Sequence, residues 1–211
     1  GEQTIDVGGL ALLDFGTNAD VGELPSGSAG QVYGPYYQQL VDDVTGRGLP
    51  EPEFAIDDTE SGVRNSSAVF AQNPNGNLTS PDPPGDVPFS NVDRFEITSE
   101  PSNNYDVQFV ANVQQEVAAG DVMLGAAYLR RESSSSQLTF HAVDNGGYGN
   151  LASNGSPTIG SEWELHYFPI EFSSGSTGDQ DRFVQFQLGY QTQTVEVGGF
   201  ALMDYGQDVA V

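Results

Sequence analysis

From Asp93 to Tyr205, apolar side chains return at alternate positions in seven successive segments: Asp93–Thr98, Tyr105–Val113, Asp121–Arg131, Gln137–Val143, Glu162–Phe172, Arg182–Tyr190 and Thr194–Tyr205. A period of two sends neighbouring side chains to opposite faces, so each segment reads as a half-buried strand. The separators, among them Ala119-Gly120-Asp121, Asn145-Gly146-Gly147 and Ser174-Gly175-Ser176, carry the chemistry of tight turns. Strands this short and this closely spaced pair antiparallel. The sequence therefore predicts an all-β fold, an antiparallel β-sandwich of the jelly-roll kind with one short helix.

That helix is expected over Tyr33 to Val44, where Tyr36, Leu40 and Val44 recur at four-residue spacing before a Gly46-Arg47-Gly48 stop. Its tyrosines are expected to pin it to the side of the sandwich. Residues 71–87, rich in Asn, Pro, Gly and Asp, read as a long loop.

The last strand has a twin. Gln193 to Gly206 (QTVEVGGFALMDYG) repeats Gln3 to Gly16 (QTIDVGGLALLDFG), with nine of fourteen positions identical and the others conservative. In both copies the alternation is interrupted at a Gly-Gly pair, the mark of a bulge or a tight bend. The expected organisation is an extra end strand at 1–16, a polar linker at 17–32 and a jelly-roll module at 33–211. Three placements explain the copy: the closing strand of a neighbouring module in a tandem array, a strand of the same sandwich, or a strand donated to another subunit.

Thirty acidic residues face six basic ones, all arginine, for a net charge of −24. Nucleic acid is excluded as a partner, because a phosphate backbone needs clustered cations. An anionic membrane surface is disfavoured for the same reason, and no apolar run is long enough to insert in a bilayer. An acidic, lysine-free surface is the composition of a salt-adapted protein, with compaction expected to depend on screening. Cysteine is absent, which removes disulfides and thiolate metal sites. The wealth of Gly, Ser, Asn and Pro matches an extracellular or cell-surface β protein.

Strand parity then sorts candidate binding groups. Leu138, Phe140 and Ala142 point one way, so His141 points the other; Phe186 and Leu188 likewise oppose Gln185 and Gln187. Gln108 lies between Val107 and Phe109, and Arg131 ends its strand. A face of Gln108, Arg131, His141, Gln185 and Gln187 offers planar donors and acceptors that match sugar hydroxyls, and Tyr148, Trp163 or Tyr167 could supply a ring for the apolar side of a pyranose. No nucleophile elbow, phosphate loop or HExxH pattern accompanies His141 and His166, so no catalytic site is expected. For a metal, hard oxygen ligands such as Asp57 and Asp58 have the composition of a structural Ca²⁺ site.

Several short motifs occur in a familiar order. They are Asp93-Arg94-Phe95-Glu96-Ile97 with Pro101, Tyr105-Asp106-Val107-Gln108-Phe109, Val117 through Arg131, Trp163 through Pro169, and Phe186-Gln187-Leu188-Gly189-Tyr190 running into Gln193. From about Phe54 onward this order resembles the carbohydrate-binding modules of the family 4/9 type, β-jelly rolls attached to secreted polysaccharide-degrading enzymes. The resemblance implies a non-catalytic module that binds a polysaccharide or glycan in a groove on its concave sheet. The doubled strand supports an alternative, a self-assembling extracellular structural subunit that forms a homo-polymer by donating residues 3–16.

Overall fold

A computed structural model of the chain describes residues 35–56, 76–113, 115–144, 150–175 and 182–209, and residues 67–71 through their backbone. The expected end strand and linker, together with Tyr148, Asp57 and Asp58, lie outside the described residues.

Among the described residues one α-helix, α1 (Pro35–Gly46), is followed by eleven strands: β1 (Glu53–Phe54), β2 (Ser67–Ala71), β3 (Gly76–Thr79), β4 (Val92–Ile97), β5 (Val107–Asn112), β6 (Val122–Arg131), β7 (Thr139–Asp144), β8 (Asn150–Asn154), β9 (Glu164–Glu171), β10 (Arg182–Gln187) and β11 (Gln193–Asp204), with a short 3-10 turn at Asn104–Asp106. Two antiparallel sheets form. The first runs β3-β4-β11-β6-β9, with β1 also paired to β11; the second runs β2-β5-β10-β7-β8. They enclose a core of phenylalanines in which Phe186 lies 5.0 Å, ring centre to ring centre, from both Phe140 and Phe168, while Phe109 and Phe200 close the same cluster at 5.2 Å. Aromatic pairs at such separations add attraction beyond the area they bury. This is the sandwich that the alternation predicts.

β11 holds the first sheet together. Its first half pairs with β4 on one side and β6 on the other, and its second half lies between β1 and β6. The register shifts between Gly198 and Ala201, the bulge expected at the Gly-Gly pair. Val195 and Val197 enter the core before the bulge and Phe200 and Leu202 after it, so the extra residue reverses the strand's parity. The glycines are required by what lies over them. A Cβ on Gly198 would run into the Phe89 ring, and one on Gly199, whose φ is +56°, would sit 2.8 Å from the Tyr36 ring.

Tyr36 belongs to α1, which packs across the outer side of the first sheet with Tyr36, Tyr37, Leu40, Val41 and Val44 buried. The Tyr36 hydroxyl donates to the Gly199 carbonyl, and the Tyr37 ring meets Phe54 edge-on at 5.1 Å. Gly48, at φ +90°, turns the chain out of the helix, and Leu49 N–H returns to the Val44 carbonyl at 3.1 Å. The expected aromatic pinning of the helix is therefore observed at Tyr36 and Tyr37. Residues 71–87, by contrast, are not one continuous loop. The strand β3 lies within them, an edge strand whose Gly-Asn-Leu-Thr sequence places one apolar side chain, Leu78, against the core. β8 is a second edge strand with no alternation to announce it.

Candidate carbohydrate-binding face

In β10 the buried Val184 and Phe186 point into the core, which turns Phe183, Gln185 and Gln187 to the outer side of the second sheet. Register supplies their neighbours. Gln187 lies opposite Gln108 of β5 and Thr139 of β7; Gln185 lies opposite Val110 and His141; Phe183 lies opposite Asn112 and Val143. Three strands thus present a patch of three rows. One end is an apolar cluster of the buried Val110, Val143 and Phe183. The other end is polar.

At the centre, Gln185 is only 5 % exposed. Beside it His141 is fixed at both nitrogens. The Asn150 amide nitrogen donates to the carbonyls of Ala142 and Ala152, which turns its oxygen to accept from His141 Nδ1 at 3.2 Å. His141 Nε2 then accepts from the Thr139 hydroxyl at 2.6 Å, Thr139 from the Tyr190 hydroxyl at 2.7 Å, and Tyr190 from Asn104 Nδ2 at 3.0 Å. The chain of donors has one direction and holds the imidazole neutral.

Burial lowers the His141 pKa against the opposing effect of the Asn150 hydrogen bond, and burial likewise lowers that of His166 against nearby Glu164. Because the unfolded chain then takes protons first, stability is complete above the ordinary histidine value of about 6.5 and declines as the pH falls below it. The melting temperature should fall between about pH 7 and pH 5.5, and His141→Gln should flatten that slope. An unchanged slope in the variant would show that His141 does not contribute.

The remaining candidates sit on the first sheet. Arg131 Nε donates to the Ile159 carbonyl at 2.7 Å, and its guanidinium also reaches Ser133 O, so it ties down the loop beyond β6. The Trp163 ring meets Phe89 edge-on at 5.1 Å and carries the Arg130 guanidinium at 4.9 Å. Tyr167 donates its hydroxyl to Asp43 of α1 at 2.5 Å while Arg47 covers its ring. Hydrogen bonding from Tyr167, opposed by burial and helped by Arg47, holds the Asp43 carboxyl below its usual range. The structure therefore brings Gln108, His141, Gln185 and Gln187 onto one patch and leaves Arg131, Trp163 and Tyr167 on the opposite sheet. Asn104, Asn150 and Tyr190 join the patch from edges and loops, where no periodicity marks them. Thr139 shares the parity of His141 and is legible from it.

Among the described residues no cluster of three or more acidic or histidine side chains has the geometry to hold a metal ion, and no helix is long and apolar enough to cross a membrane.

No protein-family model matches the sequence, and no curated protein does. In fold the chain is similar to the arabinose-bound MgGH51 α-L-arabinofuranosidase, at 19 % identity and a TM-score of 0.52 over 69 % of this chain. It spans only 24 % of that enzyme. It is also similar to a CBM4 structure at 10 % identity and a TM-score of 0.49, over 71 % of this chain and 93 % of that one. The second N-terminal cellulose-binding domain of Cellulomonas fimi β-1,4-glucanase C gives 13 % identity and a TM-score of 0.46, over 74 % of this chain and 96 % of the domain. At 19 % identity the likeness to part of the arabinofuranosidase is one of architecture alone, an antiparallel β-sandwich of the jelly-roll kind.

Proposed function

We propose that the outer face of the second sheet binds an uncharged polysaccharide, and that the chain is a non-catalytic carbohydrate-binding module of a secreted or cell-surface, salt-adapted protein. The observation that carries this reading is the gathering of Gln108, Gln185, Gln187 and the oriented His141 onto one patch of three adjacent strands. Planar amide donors and acceptors beside an imidazole of fixed orientation match vicinal hydroxyls. The net charge of −24 argues against uronic or sulfated chains. Neutral glycans are therefore the first to try.

Affinity electrophoresis in molar salt against xylan, hydroxyethylcellulose and arabinan tests the reading. Gln185→Leu should weaken binding about tenfold, the scale of one or two lost hydrogen bonds in a site that excludes water. Trp163→Phe, on the other sheet, should leave affinity unchanged. Loss of binding in the tryptophan variant with the glutamine variant intact would move the site to the first sheet, and no retardation by any of the three would overturn the reading.

Salt adaptation has its own test. With repulsion among so many carboxylates unscreened at low ionic strength, the melting temperature should rise by several degrees from about 0.1 M to about 2 M sodium chloride. An unchanged value would remove the salt-adapted part of the proposal.

A further inference from the structure

The seat of β11 makes demands that residues 3–16 meet position by position, although this body has only one such seat and residues 193–204 occupy it. Gln193 is buried, with Oε1 accepting from Gln137 N–H at 2.7 Å and Nε2 donating to the Gln137 and Leu188 carbonyls. Its counterpart is Gln3. The core positions Val195, Val197 and Leu202 correspond to Ile5, Val7 and Leu12. Gly198 and Gly199, tolerated in a strand only because Phe89 and Tyr36 come down on them, correspond to Gly8 and Gly9. Asp204 accepts from the Gly206 N–H at 2.7 Å in a turn where Gly206 has φ +54°; Asp14 and Gly16 repeat the pair. Asp6 keeps the carboxylate that Glu196 offers to Arg94 and Arg130.

An edge strand would have no use for these features. A glycine pair weakens pairing where no ring covers it, and a buried glutamine is a liability without the Gln137 and Leu188 backbone. Nor is there room in this body, since β4 and β6 flank the first half of β11 and β1 and β6 its second. We infer that residues 3–16 are a second closing strand, made for the β11 seat of another copy of this body, where the strand takes the place of that copy's own residues 193–204 between β4 and β6. The two copies of the strand are 190 positions apart, which spans one whole body from α1 to β11 together with a connector. The partner is recognised by backbone pairing along both strand edges and by two aromatic rings closing over a glycine pair. This goes beyond the glycan-binding reading and rests on the opposite sheet.

The test uses the full chain in molar salt. Writing the first copy into β11, as Val195→Ile, Glu196→Asp, Phe200→Leu, Met203→Leu and Tyr205→Phe together, should leave a cooperatively folded protein whose melting temperature falls by no more than about 15 °C. Failure of that variant to fold would overturn the inference. Gly8→Val alone should shift the melting temperature by less than about 1 °C, because its strand does not sit in this body; a loss as large as that of Gly198→Val would place the strand here and overturn the inference as well. In the chain carrying both Gly8→Val and Gly198→Val, a labelled synthetic peptide of residues 1–20 should bind saturably and restore cooperative unfolding, while the same peptide with Gly8→Val should not. Equal binding of the two peptides would count against a shaped seat. Should the doubly changed chain aggregate, the five-residue exchange decides the matter alone.

Discussion

Truncating Phe186 to alanine should lower the unfolding free energy by about 3–5 kcal/mol, the cost of a cavity in a core that cannot collapse to fill it. Phe186 is fully buried, and Phe109, Phe140, Phe168 and Phe200 surround it with ring centres 5.0 to 5.9 Å away, so four rings lose a neighbour at once. For a body of this size the loss corresponds to a fall of roughly 10 °C in melting temperature. One residue along the strand, Gln187→Ala should change stability by less than about 0.5 kcal/mol, because that side chain faces outward. Chemical denaturation of the two variants side by side checks the assignment of faces on which the binding proposal depends. A larger effect at Gln187 than at Phe186 would reverse it.

The second large effect is electrostatic. Glu196 is only 2 % exposed on the outer side of the first sheet, and its carboxylate is held by Arg130 Nε and, at 3.8 Å, by Arg94 Nε. Arg130→Met should cost about 3 kcal/mol, since it leaves a buried charge with one distant partner. Glu196→Gln should cost less, about 1 kcal/mol, because the stranded charge is then an arginine that reaches water and still lies over the Trp163 ring. The double variant Arg130→Met with Glu196→Leu should recover most of the loss, as apolar replacements of buried ion pairs often do. If Arg130→Met and Glu196→Gln proved equally costly, the asymmetry of exposure would not be what governs the pair.

The strand β11 shows how far sequence alone reaches. The Gly-Gly interruption and the reversal of apolar parity across it are local, and they predict the bulge. The reason for the glycines is not local. Phe89 reaches Gly198 from within a stretch rich in Asn, Pro and Gly, and Tyr36 reaches Gly199 from a helix far away along the chain. β3 and β8 carry no signal of their own, because edge strands bury little and Gly-Asn-Leu-Thr and Asn-Leu-Ala-Ser-Asn need no alternation.

The candidate site divides along the same line. Parity places His141, Gln185 and Gln187 on the outward side of their strands, and the structure agrees. It places Arg131 and Tyr167 on a side of theirs as well, but parity cannot say to which sheet a strand belongs. β6 and β9 pair with each other and β5, β7 and β10 pair together, a choice made by contacts distant in the chain. A face assembled from parity alone therefore mixes residues from two sheets.

The place of β11 also sets an order of events in synthesis. β4 and β6 become neighbours of one strand only when β11 lies between them, and β11 follows every other element along the chain. A ribosome delivers all of α1 and ten strands before the first sheet can close. The second sheet, with β10 the last of its members to appear, can assemble earlier and wait with its phenylalanines half covered. Folding of this body is therefore expected to finish only after β11 has left the ribosomal tunnel, with a slow last step typical of pairing across long sequence separations.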